Sequence, residues 1–72
     1  MIQYLPIREA HYSDDLGRYI SFGIKAVDSR NNVILFISDV SVNESLVNSI
    51  CIDCTKGELN PIHLLDVIED RI

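Results

Sequence analysis

Residues 19–28, YISFGIKAVD, alternate along the chain. Ile20, Phe22, Ile24 and Ala26 share one face, and Tyr19, Ser21, Gly23, Lys25 and Val27 share the other. That period of two predicts a β-strand with one buried side and one largely polar side. Gly23 has no side chain in mid-strand, which predicts a close neighbour or a bulge there. Residues 33–38, VILFIS, are apolar on both faces, as a strand covered on both sides would be. Between these two strands, Ser29-Arg30-Asn31-Asn32 is a turn, because asparagine tolerates left-handed backbone angles. A first strand covers about residues 2–8, and Pro6 places it at a sheet edge or a bulge. Residues 9–17, EAHYSDDLG, read as a polar loop, or else as a longer hairpin whose arms reach Tyr12 and Tyr19.

The period then changes from two to 3.6. Leu46, Val47, Ile50, Cys51 and Cys54 form a helical stripe within about residues 43–55. Ser41 with Glu44 fits a capping box, and Asn43 is the alternative cap. Lys56 and Gly57 suit the helix end, with Gly57 at the left-handed position just past it. Asn60 and Pro61 open a second helix over about residues 61–70, with Leu64, Leu65 and Ile68 inward and Ile62 and Val67 flanking. Strands first and helices after them predict an α+β domain. The expected form is a three-stranded antiparallel sheet followed by two short helices packed on one face, the face bearing Ile20, Phe22 and Ile24. A simple meander would put strand two in the centre. The doubly apolar third strand therefore predicts either that it also pairs with strand one, or that an exposed sheet face is capped by a second copy.

Length narrows these possibilities. The chain of 72 residues allows a single domain over residues 1–72. At that size a core is thin, and a staple or a partner is common. The net charge is −5 and is unevenly placed. Residues 1–38 balance Glu9, Asp14, Asp15 and Asp28 against Arg8, Arg18, Lys25 and Arg30. All the excess falls in residues 39–72, where Asp66, Glu69 and Asp70 line the last helix. An acidic surface of this kind repels phosphate backbones and anionic lipid heads, so neither nucleic acid nor membrane is an expected partner. The opening MIQYLPIREA lacks the basic and apolar regions of a secretory leader, and no stretch nears the ~20 apolar residues of a membrane span. Two cysteines build no disulfide scaffold. A cytoplasmic location is expected.

Candidate chemistry is sparse. Cys51 and Cys54 form a C-x-x-C pair, and His63 could supply a third metal ligand if the helical corner folds back. Against this, both cysteines continue the apolar stripe and lie late in their helix, where the backbone dipole opposes a thiolate. Asp66 and Asp70 share a helical face but give too few oxygens for Ca²⁺. His11 lies in a polar stretch near Glu9 and Asp14 and reads as solvated. Three scattered glycines make no phosphate loop, and no cofactor is expected.

The tail from Gly57 to Ile72, above all Asn60-Pro61-Ile62-His63-Leu64 and Asp66-Val67-Ile68-Glu69-Asp70, resembles a family of small uncharacterised proteins from clostridia and related Gram-positive bacteria. The resemblance implies the same order of strands, helix and short acidic helix. It implies no catalytic residue and no ligand, and the cysteine pair is not part of it.

Three functions compete at this level. One is a non-enzymatic protein-interaction or regulatory domain, homodimeric through the outer sheet face, with Val33, Leu35 and Ile37 and the acids Asp66, Glu69 and Asp70 as its surface. Another is a metal-binding module using Cys51, Cys54 and His63. The third is a small enzyme or enzyme subunit, for which the sequence names no site.

Overall fold

Two turns set the sheet. At the first, Ser13 Oγ accepts hydrogen bonds from the N–H groups of Asp15 and Leu16, and Gly17 takes a φ of 70°. At the second, Asp28 Oδ1 accepts from the N–H groups of Arg30 and Asn32, and Asn31 takes a φ of 69°. Side-chain oxygens here replace the ladder bonds that a reversing chain gives up. The computed structural model describes residues 1–72. It contains β1 (Gln3–Ser13), β2 (Gly17–Val27) and β3 (Val33–Ser41). These are followed by α1 (Glu44–Lys56), a 3₁₀ turn (Pro61–His63) and α2 (Leu64–Arg71). The α+β class and the strand-then-helix order are those read from the pattern.

The sheet is an antiparallel meander in the order β1-β2-β3. β2 is central and β3 lies at an edge, so β3 does not pair with β1. β1 and β2 pair without a break from Gln3↔Val27 to Ser13↔Gly17. Residues 9–17 are therefore a hairpin arm and not a loop. The pairing of β2 with β3 is irregular at both ends, between Ala26 and Val27 and between Phe22 and Ile24.

β1 is the other edge, as Pro6 suggested. The Tyr4 N–H donates to Thr55 Oγ1 of α1 at 2.9 Å, so it points away from β2. Two residues on, Pro6 faces the same way and has no N–H to leave bare. The Tyr4 hydroxyl donates to the Leu59 carbonyl, which ties this edge to the helical corner.

Asn43, not Ser41, caps α1: its side chain accepts from the Leu46 N–H. Asn60 does the same for the Ile62 N–H ahead of α2. Val47, Ile50, Cys51 and Cys54 of α1 close on Tyr4, Phe22, Ile24 and Ala26 of the sheet, with Leu64 and Ile68 of α2 completing the core. The helices cover the sheet as far as Phe22. Ile20, on the same face, is exposed, because the arm carries β1 and β2 beyond the helices. The molecule is accordingly long, 39 × 25 × 19 Å. Leu65 and Ile62 are also exposed, against expectation. An eight-residue helix on so small a core buries one stripe, Leu64 and Ile68, and Leu65 sits about 100° round the axis from it.

The end of α1 differs by one residue from its sequence reading. Gly57 has a φ of −80°, and the left-handed residue is Glu58, with a φ of 51°. The Leu59 N–H donates to the Cys54 carbonyl at 3.0 Å and the Glu58 N–H to the Thr55 carbonyl at 3.2 Å. This is the paired bonding of a Schellman ending. Leu59 packs against the core and so fixes the frame, leaving a glutamate where glycine would be unstrained. Glu58→Gly should therefore stabilise the fold by about 1 kcal/mol. Its thermal midpoint should rise by about 4–8 °C. An unchanged or lower midpoint in a thermal melt would count against this strain.

No helix is long and apolar enough to cross a membrane.

Candidate functional site

The apolar surface of the molecule centres on β3. Val33, Ile34 and Phe36 are 56%, 47% and 47% exposed. Leu35 and Ile37 are half-buried and pack on the core. Of the three residues expected on an outward surface, Val33 alone is exposed. The cause is the irregularity at its end of the strand: Val27 pairs with Val33 and Ala26 with Leu35, so Ile34 is an extra residue and the alternation changes phase. Between β3 and the helical corner runs an apolar groove of about 320 Å³, lined by Ile34, Leu35, Ile37, Pro61, Ile62 and Leu65.

Asp66, Glu69 and Asp70 are exposed along α2. Arg71 is turned away from them. It reaches α1, where Nη1 bonds Asp53 Oδ2 at 3.0 Å and Nη2 bonds Ser49 Oγ at 2.9 Å. The outward face of this corner is Ile62, Leu65, Asp66 and Glu69, spaced i, i+3, i+4 and i+7, half apolar and half acidic.

A polar cluster on the other sheet face was not visible in the sequence. Glu9 of β1 lies opposite Ser21 of β2, yet its carboxylate reaches across β2 to β3. Glu9 Oε1 accepts from Ser38 Oγ at 2.6 Å, and Oε2 accepts from the Asp39 N–H at 2.8 Å. Gly23 makes the crossing possible, since a Cβ there would lie 2.7 Å from Glu9 Oε2. Asp39 sits in the bulge of β3 with a φ of 54°, and its Oδ2 accepts from the Tyr19 hydroxyl at 3.2 Å. His11 stacks on Tyr19 with ring centroids 5.1 Å apart, and its Nε2 is 3.7 Å from Glu9 Oε1. Ser21 Oγ and His11 Nε2 are buried and lack a partner of full hydrogen-bonding geometry. Both Glu9 oxygens are engaged, so the carboxylate acts as a strut that holds the bulge.

These bonds shift proton affinities. The Ser38 hydroxyl, and then the Asp39 N–H, hold the Glu9 carboxyl below its ordinary range. The nearby Ser21 hydroxyl, though short of full hydrogen-bond geometry, and then the bonded Tyr19 hydroxyl lower that of Asp39. The Asn32 N–H heads the causes that lower Asp28. A carboxyl whose pKa falls on folding adds stability above its unfolded pKa and loses it as pH drops through the folded value. Urea midpoints should therefore fall on acidification from about pH 5 to about pH 2. Glu9→Gln should flatten part of that slope and lower the midpoint at neutral pH. An unchanged slope would remove Glu9 from this account.

The sequence-level metal candidates fare differently. Cys51 and Cys54 are buried in the core. Burial, reinforced by Cys54, pushes the Cys51 thiol up to about 11, and burial raises Cys54 as well. Both are neutral thiols at pH 7, suited to packing and poor as nucleophiles. Cys51 borders a groove of about 410 Å³ between β1 and α1, but as a thiol. His63 is exposed at the 3₁₀ turn. No three His, Cys, Asp or Glu side chains are grouped to hold a metal ion, and Cys51, Cys54 and His63 form no such set.

The chain matches no family model, no curated protein and no solved structure. Function therefore rests on the geometry of the chain itself.

Proposed function

We propose that this chain is a non-enzymatic interaction domain that pairs with a second copy of itself along β3. The observation that carries the reading is the place of β3: an edge strand with five successive apolar residues, Val33–Ile37, and no proline or charge among them. Edge strands are ordinarily blunted by such residues, because an open apolar edge is a template for another strand. The strand order rules out a central position for β3, and self-association through this open apolar edge is the reading we favour. The groove beside Ile34 gives the partner's side chains a place to pack.

Sedimentation of the full chain tests this. A species of twice 8.2 kDa is expected in the micromolar range. Ile34→Lys or Phe36→Lys, each at an exposed position, should return it to the monomer with the fold intact. A wild-type chain that stays monomeric at about 500 μM, too weak to register even a sub-millimolar dimer, would overturn the reading.

A further inference from the structure

The core face of the sheet continues along the arm without a helix over it. By alternation and register, Arg8, Ala10 and Tyr12 of β1 lie on that face opposite Phe22, Ile20 and Arg18 of β2. Tyr12 is 73% exposed and Ile20 37%. The side-chain ion pairs of the molecule are His11–Glu9 and Arg71–Asp53, so Arg8 and Arg18 have no carboxylate. The arm thus presents apolar surface with two unpaired cations. The corner at α2 presents the complement: exposed Ile62 and Leu65 beside Asp66 and Glu69, which also pair with no cation.

These surfaces cannot meet within one molecule. Pro61, Ile62 and Leu65 of the helical corner share a groove with Leu35 and Ile37, which pair with Ala26 and Ile24 of β2. Arg18 is six residues along β2 from Ile24, which at strand rise is about 20 Å. A second copy removes the obstacle. When β3 pairs antiparallel with its symmetry mate, the strand directions oppose. The arm end of one copy then lies at the α2 end of the other, with the helices of both on the same side of one continuous sheet.

We propose that the arm of each copy receives the acidic outward face of α2 from the other, Arg8 and Arg18 meeting Asp66 and Glu69. This rests on the β3 pairing above and adds a second, electrostatic contact to it, made twice by symmetry.

Reciprocal charge reversal in the full chain tests it. Arg8→Glu with Arg18→Glu makes arm and helix both acidic. Asp66→Lys with Glu69→Lys makes both basic. Each double variant alone should self-associate at least about tenfold more weakly than wild type, since like charges then face each other twice. An equimolar mixture should pair at close to wild-type affinity, because every contact is again complementary. In a measurement that needs no variant, wild-type association should weaken at least about tenfold between about 50 mM and about 500 mM salt. Reversed variants that dimerise like wild type, or wild-type association indifferent to salt, would overturn the clasp while leaving β3 pairing in place. A monomeric wild type would overturn both.

Discussion

Gly23→Ala is expected to cost about 3 kcal/mol or more, a large share of the stability of the whole chain. The added Cβ would lie 2.6 Å from the Ile37 carbonyl oxygen, 2.7 Å from Glu9 Oε2 and 3.1 Å from Phe36 Cε1. The carboxylate could swing aside, but it would then give up its bonds to Ser38 and to the Asp39 N–H. The Ile37 carbonyl is backbone and can move only by unpairing β3. Overpacking costs about 1–3 kcal/mol, and hydrogen bonds to a charged group are worth about 1.5–3 kcal/mol each. A chain of this length has about 4–11 kcal/mol of stability in all. Urea denaturation followed by circular dichroism would measure the loss. A midpoint within error of wild type would show that the crossing of Glu9 over Gly23 is not a constraint.

Ile24→Ala should have an effect of similar size, about 2–5 kcal/mol, and Ile50→Ala a smaller one. Both side chains are fully buried, one in each layer of the same core. The difference comes from the backbone. Alanine is a better helix former than isoleucine, by about 0.4 kcal/mol, and a poorer strand former by up to about 1 kcal/mol. The helix therefore offsets part of the cavity at residue 50, and the central strand adds to it at residue 24. Paired urea melts would test the order. If Ile50→Ala proved the more damaging, the packing of α1 on the sheet would outweigh backbone preference.

Elements whose burial follows one rule along their whole length were legible in the sequence. The stripe of Val47, Ile50, Cys51 and Cys54 identified α1, and Asn60-Pro61 marked the start of the second helical segment. The arm was obscured because alternation signals a strand only where one face is buried. Beyond Phe22 neither face has a helix over it, so Glu9, His11 and Tyr12 read as part of a polar loop, with the longer hairpin only as the alternative. The contact of Glu9 with Asp39 was hidden for another reason. It spans three strands and depends on a bulge, and residues 30 apart carry no periodic signal. At the end of α1, glycine preference pointed to Gly57, but the packing of Leu59 placed the left-handed residue at Glu58. At β3 the composition reads as too apolar for a solvent-backed strand, and the pairing proposed above is what would account for it. The face assignment failed because the extra residue at Ile34 changes the phase.

The Thr55 hydroxyl on Tyr4 and the missing N–H of Pro6 close the β1 side of the packed body, while β3 stays open. Such a sheet can be extended in one direction. In the pairing proposed above, two copies joined by a two-fold axis through β3 would present their closed sides outward, so pairing would use up the open edge and stop at two. Thr55→Val with Pro6→Ala would then reopen the other side and let such a pair propagate as a fibre.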